Sequence, residues 1–208
     1  MDLKNTETGR VFIIGNGPSI NRQDLSPLQN EKTMVSNQYF LNPRITWKPD
    51  YYFSTDRKGV KGNLKRILDN TDGMIRFFED VWEETIDDKK THFLKIIRRR
   101  DNPEFVLDLN KPLRSGYCVT YIQLQVAVWM GFKEIYLLGI DHSIGHFVSE
   151  EEYHNGKSHF NLELSLVEKF MRKAKEVCDS IGINIINLTD GSALDVFPME
   201  KYEDIIEG

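Results

Sequence analysis

One short stretch near the start of the chain constrains the fold most, because residues 11–14 (Val-Phe-Ile-Ile) run directly into Gly15-Asn16-Gly17-Pro18-Ser19. Four apolar residues, three of them β-branched, are typical of a strand buried on both faces of a sheet. Glycine and asparagine tolerate positive φ, and proline suits the first turn of a helix. The pattern predicts a strand, a tight turn (15–19, here the glycine turn) and a helix start. Such a turn can bring N–H groups to a ligand phosphate, although an ordinary βα turn has the same pattern.

The rest of the chain alternates between strand and helix patterns. This alternation predicts a single α/β domain with a doubly wound, mostly parallel sheet. Further strands are predicted at 33–36, 51–54, 74–78, 134–138 and 183–187, with short ones at 92–97 and 105–109. Helices are predicted at 59–70, 117–130 and 166–181, with a short one at 199–206, and Gly131 is predicted to end the second of them.

Two segments do not follow this alternation. Residues 79–110 contain an acidic run and then a basic run that ends in Arg98-Arg99-Arg100. Charge runs are usually solvated, so we expect a solvated surface within a small insertion or lid. The alternatives are an acceptor-binding surface and contact of the three arginines with an anionic glycan or a membrane surface. Residues 142–160 form a long polar loop that contains several histidines. Loops of this length are often functional or mobile, and we expect a mobile loop here.

Composition excludes several classes of protein. The net charge of −5 argues against broad nucleic-acid binding, which depends on neutralising phosphates. Cys118 and Cys178 lie on predicted helices with no metal-ligand spacing, so we expect buried free thiols in a reducing compartment. The polar start resembles no signal peptide, and no apolar run approaches the ~20 residues that span a bilayer. We therefore expect a cytoplasmic protein, with peripheral contact to a membrane left open.

Polar residues follow the predicted strands where each strand ends. Ligands of doubly wound sheets bind beyond the carboxyl ends of the strands, an edge that we call the carboxyl edge. We expect all of these polar residues to converge there, joined by a helix start. They are the glycine turn, Asn37-Gln38, Thr55-Asp56, Asp141-His142 and, at the helix start, Ser115-Gly116.

Several motifs occur in the same order as in small bacterial sialyltransferases. They are the glycine turn, Ser-Asn-Gln-Tyr-Phe at 36–40, Ser115-Gly116 and Gly-Phe-Lys-Glu-Ile-Tyr-Leu-Leu-Gly-Ile-Asp at 131–141. The chain resembles those enzymes, which use CMP-activated sialic acid on a Rossmann-like sheet. It is also similar to the wider 6-hydroxymethylpterin diphosphokinase-like family of surface-polysaccharide gene clusters, especially at 185–198. The resemblance covers most of the chain except 79–110.

The resemblance implies a nucleotide site at the carboxyl edge. The glycine turn, with Gly15, Asn16, Gly17, Pro18 and Ser19, would hold the nucleotide phosphate. Asn37 would contact the nucleotide, and Ser115 with Gly116 would match the serine-glycine helix start of the sialyltransferases. Gln38, Thr55 and Asp56 complete the predicted site. The N–H groups of Gly17, Ser19 and Ser115 would stabilise the departing phosphate without a metal.

Two positions depart from the sialyltransferase pattern. Thr55 stands where those enzymes have an asparagine that contacts the nucleotide. Pro112 stands where they have an arginine, and Arg114 is a candidate to replace it.

The resemblance also implies a histidine general base in the loop before the last long helix. His159, next to that helix, is the preferred candidate and His154 is the second. A histidine that titrates near neutral pH suits the removal of a proton from an acceptor hydroxyl. Asp141 either orients a histidine or a ligand hydroxyl, or caps the turn that follows it. The loop histidines match no standard zinc spacing, and solvent-exposed loop histidines would give the same sequence.

Three functions follow from these observations. The leading one is a glycosyltransferase that moves a sugar from a CMP-type donor to a surface-glycan acceptor, with no cofactor required. The alternative is a diphosphokinase that uses Mg²⁺ and ATP, with Asp56 and Asp141 as metal ligands. The third is a non-catalytic protein that binds nucleotide sugars. The resemblance to the sialyltransferases also implies a homo-oligomer.

Overall fold

A parallel sheet organises the computed structural model, which describes residues 2–98, 102–143, 145–149 and 164–207. The strands of these residues are β1 Arg10–Ile14, β2 Thr33–Ser36, β3 Tyr51–Ser54, β4 Ile75–Glu79, β5 Thr91–Leu94, β6 Ile96–Ile97, β7 Leu113–Arg114, β8 Glu134–Leu138 and β9 Asn184–Asn187. The α-helices are α1 Arg57–Asn70, α2 Val119–Met130, α3 Leu164–Ser180 and α4 Tyr202–Ile206.

Within the described ranges, seven strands form one sheet in the order β5-β4-β3-β2-β1-β8-β9, and all its neighbouring strands are parallel. The chain starts in the middle of the sheet, moves outward to β5, and returns through β8 to β9 on the other side of β1. This topology confirms the predicted doubly wound α/β fold. Because the strands all point the same way, their carboxyl ends share one edge.

The apolar run at the start is buried on both faces of the sheet, as its composition predicts. Side chains of a strand alternate between the two faces. Val11 and Ile13 pack in a cluster with apolar residues of α2 and α3, whereas Phe12 and Ile14 pack in a second cluster with apolar residues of α1. Helices on both faces therefore exclude water from β1, which lies between β2 and β8.

The boundaries of the helices follow from local backbone chemistry. Asp56 caps α1 by accepting a hydrogen bond from the Lys58 N–H at 3.0 Å. The α2 helix ends at Gly131, as predicted, with the left-handed φ of 109° that favours glycine. A Cβ atom at Gly131 would also lie 2.5 Å from the Glu7 carbonyl oxygen. Backbone conformation and close packing thus both require glycine at this position.

Three predicted elements differ in the structure. The glycine turn leads into a short 3₁₀ helix, Pro18–Arg22, rather than an α-helix. The α2 helix begins at Val119 rather than at the predicted position 117, because Gly116 and Tyr117 have left-handed φ angles of 57° and 63°, which interrupt helical geometry. The prediction of a strand at 105–109 is wrong, since this stretch is irregular.

The stretch 79–110, predicted as an insertion or lid, contributes to two sheets. Its strand β5 forms the outer edge of the main sheet, beside β4. Its strand β6 pairs in parallel with β7, and no pattern in the sequence predicted β7. The second sheet brings Ile97 opposite Arg114, and so connects this stretch to the segment that precedes α2.

Two further expectations concern the chain as a whole. Cys118 and Cys178 are free thiols, and burial raises the pKa of Cys178 to about 12 and that of Cys118 to about 11. Within the described ranges, no helix combines the length and apolar character that crossing a membrane requires.

Candidate functional site

The glycine turn lies tightly against the carboxyl end of β8. The Gly15 N–H donates to the Leu138 carbonyl at 2.7 Å, and the Gly17 N–H donates to the Gly139 carbonyl at 2.9 Å. A Cβ atom at Gly17 would lie 1.9 Å from Asp141 Oδ2. Gly17 has a φ of −72°, which every residue adopts, so glycine is required here for space. The turn is therefore built around close approach to the strand that precedes Asp141.

Asp141 is positioned by the glycine turn. Its two carboxylate oxygens accept hydrogen bonds from the Ser19 N–H at 3.0 Å and from Ser19 Oγ at 2.7 Å. Ser19 is 0% exposed, so it holds Asp141 in place and does not reach a ligand. Asp141 thus caps the 3₁₀ helix that follows β1, across the sheet, rather than its own turn. A loop after β9 also contacts Asp141, because the Ala193 N–H donates to the Asp141 carbonyl.

The predicted set of phosphate-binding N–H groups needs correction. The Gly17 N–H donates to the Gly139 carbonyl, and the Ser19 N–H donates to Asp141. The Ser115 N–H donates to the Ile97 carbonyl at 3.1 Å. A backbone N–H that is already paired within the protein offers little to a ligand, since binding would break that bond. These three N–H groups therefore stabilise the shape of the site, and an anion would have to be bound by other donors.

The middle of the carboxyl edge is formed by the end of β2. Asn16 Nδ2 donates to the Ser36 carbonyl at 3.1 Å, which connects the glycine turn to β2. Asn37 has a left-handed φ of 51°, and its N–H donates to the Phe53 carbonyl of β3. Ser54 Oγ donates to Asn37 Oδ1 at 3.3 Å. Gln38 follows directly and begins the next short turn. Asn16 and Asn37, both partly exposed, are brought to one edge as predicted.

The β3 end of the edge contains Thr55 and Asp56. The Thr55 carbonyl accepts a hydrogen bond from Arg98 Nη2 at 2.9 Å, and Asp56 caps α1. Asp56 and Asp141 follow strands that are three positions apart in the sheet, or about 14 Å at the usual strand spacing. One Mg²⁺ ion could not bind both carboxylates in this arrangement. The parts of the chain that the structure describes contain no group of three or more histidine, cysteine or carboxylate side chains that could hold a metal.

A buried carboxylate lies beside Thr55 and corrects the interpretation of the charge runs. Glu79 is 1% exposed and ends β4. It accepts hydrogen bonds from Arg57 Nε at 2.7 Å and from Arg98 Nη2 at 2.8 Å. Burial raises the pKa of Glu79, but the bonds and charges of the two arginines outweigh this effect and keep the pKa below its usual value. The charge runs predicted that Glu79 and Arg98 are solvated. The structure shows instead that both belong to an ion-pair cluster.

Sequence reasoning missed this cluster, although a signal was present. Glu79 directly follows a predicted strand, as the other site residues do, but its place in an acidic run made it look solvated. Arg57 and Arg98 lie far from Glu79 in the sequence. Only the sheet brings them together.

Ser115 approaches the same cluster through the second sheet. Because Ile97 is paired with Arg114, the next residues along the two strands, Arg98 and Ser115, lie side by side. Arg114, the predicted substitute for the arginine missing at Pro112, donates from Nε to Glu104 at 2.9 Å. That prediction is thus not supported, since Arg114 is engaged with Glu104 and Arg98 is the arginine beside Ser115. Gly116 is buried next to Ser115, and a Cβ atom there would lie 2.2 Å from the Tyr121 ring.

The loop after β8 begins against the glycine turn. The Phe147 N–H donates to the Asn16 carbonyl at 2.9 Å, and Asn21 Nδ2 donates to the Phe147 carbonyl at 2.7 Å. Phe147 is 6% exposed and belongs to the apolar cluster that contains Ile20. This part of the predicted mobile loop thus packs on the turn. The preferred base His159 and its alternative His154 lie outside the described residues.

His142 is a further histidine at the carboxyl edge. It follows Asp141 directly and has a left-handed φ of 54°, which is uncommon for a residue with a side chain. Burial lowers the pKa of His142, and the carboxylates of Glu168 and Asp195 partly oppose this shift. The lowered pKa favours a neutral imidazole at neutral pH, the form that accepts a proton.

Comparisons with known proteins agree with the described fold. The described fold is similar to the crystal structure of the monofunctional alpha-2,3-sialyltransferase Cst-I from Campylobacter jejuni, with a TM-score of 0.50 and 18% identity. The alignment covers 91% of this chain and 79% of that one, and at this identity it shows a shared fold only. No curated protein matches the chain.

A family model gives the stronger result. The model described as 6-hydroxymethylpterin diphosphokinase MptE-like matches residues 1–146, from before β1 to beyond Asp141. The match includes the glycine turn, Asn37, Thr55 and Ser115, and it confirms the resemblance inferred from the order of the motifs. The chain belongs to the 6-hydroxymethylpterin diphosphokinase MptE-like family.

Proposed function

We propose that the protein is a glycosyltransferase that binds a nucleotide-sugar donor at the carboxyl edge and transfers the sugar to a surface-glycan acceptor. One observation supports this most. A series of contacts along the edge connects Asp141 to the glycine turn, Asn16 to β2, Asn37 to β3, and Thr55 to Arg98 beside Ser115. Residues from separate parts of the chain thus form one continuous polar edge, where ligands of doubly wound sheets bind.

The geometry suggests distinct roles along this edge. Asn16, Asn37 and Ser115 are partly exposed and lie where a nucleotide would lie across β1, β2 and β3. Ser19 and the N–H groups of Gly15 and Gly17 are bonded internally and hold the edge in shape. A rigid frame with exposed amide and hydroxyl groups can orient a donor before reaction.

The chemical step needs a base and a place for the departing phosphate. In this proposal an imidazole takes the proton of the acceptor hydroxyl as that oxygen bonds to the sugar. The bond from the sugar to the phosphate oxygen breaks, and its electron pair leaves with the phosphate. On the resemblance, His159 is the base. His154 is its alternative on the same resemblance, and His142 is a further candidate that the structure adds, because it lies at the edge and burial lowers its pKa.

The diphosphokinase alternative is favoured by the name of the family and weakened by the geometry. A diphosphokinase uses Mg²⁺ to neutralise the phosphates of ATP. The two carboxylates that the sequence offered for this ion, Asp56 and Asp141, cap two different helices at sites about three strand spacings apart, or ~14 Å. Neither residue therefore supports a shared metal site.

Nucleotide binding tests the proposal first. Thermal unfolding would be measured with CMP, CDP, UDP, GDP and ATP, each with and without Mg²⁺. A ligand that binds only the folded protein raises the melting temperature. We expect CMP to do so without metal. Stabilisation by ATP alone, and only with Mg²⁺, would overturn the proposal in favour of the diphosphokinase.

The role of the base is tested by separate variants. His159→Ala is expected to lower transfer by about 100-fold or more while leaving CMP binding unchanged, as for loss of a general base. His154→Ala and His142→Ala are the matched comparisons, and the variant with the largest loss identifies the base. Near-normal transfer in all three variants would contradict a base among these histidines. A protein that binds donors but transfers from none of them would fit the non-catalytic hypothesis instead.

A further inference from the structure

We propose that Arg57 and Arg98 form a binding site for an anionic substrate group, a phosphate or a carboxylate, at the β4 end of the carboxyl edge. The two residues are called the arginine pair below. The assignment of the anion to a substrate rests on the proposed function, whereas the anion site itself rests on the geometry of the pair alone.

The first observation is the charge of the cluster. Two guanidinium groups share a single buried carboxylate, Glu79, and each donates to it. One arginine would be enough to neutralise and hydrogen-bond this carboxylate in a bidentate pair. The two arginines carry one positive charge more than Glu79 neutralises, and the neighbouring carboxylate of Asp80 also acts on Arg57. A surplus cation held in place by a buried partner favours an anionic ligand.

The second observation is the supply of unused donors. Arg57 donates to Glu79 through Nε and Nη2, so the two N–H groups of Nη1 have no acceptor among the described residues. Arg98 donates once through Nη1 and twice through Nη2, to Glu79 and Thr55, which leaves its Nε–H and one N–H of Nη1. The side chains are 56% and 43% exposed, respectively. Their positions are held by Glu79, and about half of each side chain is exposed beside these unused N–H groups.

The third observation is the location of the pair. Arg57 follows Asp56 directly, and Arg98 contacts the Thr55 carbonyl and lies beside Ser115. An anion bound by the pair would thus lie next to three residues of the predicted nucleotide site. The pair is three strand positions from β1, or about 14 Å. A single extended ligand can therefore span from the glycine turn to the pair.

Binding of inorganic phosphate tests the site without any turnover. Titrations would be followed by amide chemical shifts at low ionic strength in the full chain. We expect the dissociation constant for phosphate to rise about tenfold in Arg57→Gln and in Arg98→Gln, the usual cost of a lost charged hydrogen bond. Arg66→Gln is the matched control, because Arg66 is an exposed arginine of the same helix α1 that lies over the Phe40 ring.

Folding of the variants is controlled independently. In each glutamine variant Glu79 keeps one arginine partner, so we expect the variant to fold. A cooperative thermal unfolding transition would verify this. Arg57→Lys and Arg98→Lys keep the charge and should retain part of the phosphate affinity. Equal phosphate affinity in the wild type, the arginine-pair variants and Arg66→Gln would overturn the site, as would no binding of phosphate to the wild type.

A CMP titration separates the two sources of the anion. If phosphate competes with CMP and the glutamine variants weaken CMP binding as well, the pair holds the phosphate of the donor. If CMP and phosphate bind together and only phosphate binding weakens, the pair holds an anionic group of the acceptor. If CMP does not bind but phosphate binding still depends on the pair, the proposed function fails and the anion site stands.

Discussion

At the β8 end of the carboxyl edge, Asp141 accepts both of its hydrogen bonds from neutral groups of Ser19, whereas at the β4 end Glu79 accepts its bonds from two arginines. Both carboxylates stand just beyond or at the end of a strand. The donors to the two carboxylates differ in charge, because Ser19 is neutral and Arg57 and Arg98 are cations. The two carboxylates are therefore held by different kinds of contact, neutral donors at the β8 end and cationic donors at the β4 end.

This difference indicates how a ligand is oriented on the protein. A cluster with a negative charge suits hydroxyl groups or a cationic centre, and a cluster with a positive charge suits phosphate or carboxylate. The β8 end is also the more closed one, because the glycine turn, β8 and the loop after β9 use each other's polar groups. We therefore expect the β8 end to select ligands by their shape and the β4 end to select them by their charge.

The largest effect is expected at the closed end. Gly17→Ala places a Cβ atom 1.9 Å from Asp141 Oδ2 and 2.8 Å from the Gly139 carbonyl oxygen. We expect the free energy of unfolding, measured by urea denaturation, to fall by about 3 kcal/mol, at the upper end for overpacking. Gly62→Ala is the control, since nothing lies within 4 Å of a Cβ there in α1. The Gly62→Ala variant should be more stable than the wild type by about 0.5–1 kcal/mol. A Gly17→Ala variant as stable as the wild type would contradict the tight packing of the glycine turn.

The next effect is expected at the charged end. Glu79→Gln removes the charge that neutralises the arginine pair but keeps the shape of the side chain. We expect a loss of about 2 kcal/mol, less than for a fully buried ion pair because both arginines are about half exposed. Glu83→Gln, at an exposed glutamate nearby, should change stability little. Equal stability of the two variants in urea denaturation would show that Glu79 contributes no more than a surface charge.

Asn37, between the two ends, separates backbone conformation from side-chain chemistry. Its φ of 51° lies in the left-handed region, which asparagine adopts more readily than alanine does. Asn37→Ala should therefore lower the free energy of unfolding by about 1 kcal/mol. Asn37→Gly removes the same amide but accepts this φ, and its loss of stability should be smaller. Both variants should weaken CMP binding equally if the amide contacts the nucleotide. Equal stability of the two variants would rule out the conformational role.

The smallest effect is expected in the pH dependence of the charged end. The arginine pair keeps the pKa of Glu79 below its usual value in the folded protein. The stability from ionised Glu79 is complete above the pKa of an unfolded glutamate, about 4.3, and is lost as the pH falls through the lower folded-state pKa. The difference in unfolding free energy between wild type and Glu79→Gln should thus shrink below about pH 4. A difference that stays constant there would contradict this linkage.

Much of the fold could be predicted because its signals are local. The strands Thr33–Ser36 and Tyr51–Ser54 match their predicted ranges, and Gly131 ends α2 as predicted. Apolar runs, helical spacing and glycine at a left-handed position act within a few residues. The prediction was wrong where a local pattern has no pairing partner, as at 105–109, and it missed β7, which has only two residues.

The candidate site was predicted in part. The residues expected at the carboxyl edge do lie along it, because parallel strands bring their ends together. The hydrogen-bond partners of these residues were not predictable. Ser19 turns inward and donates to Asp141, and the Gly17 N–H donates to the Gly139 carbonyl. Such pairings depend on where β8 lies relative to β1, and the two strands are more than 100 residues apart in the sequence.

The sequence by itself determined a doubly wound α/β sheet, because hydrophobic periodicity and glycine conformation are properties of neighbouring residues. It also determined that the glycine turn lies at the carboxyl edge. Only the tertiary structure decided that Glu79 is buried and holds Arg57 and Arg98, 22 and 19 residues away. The physical reason is that burial and charge compensation depend on distance in space, which the sheet order sets and sequence spacing does not.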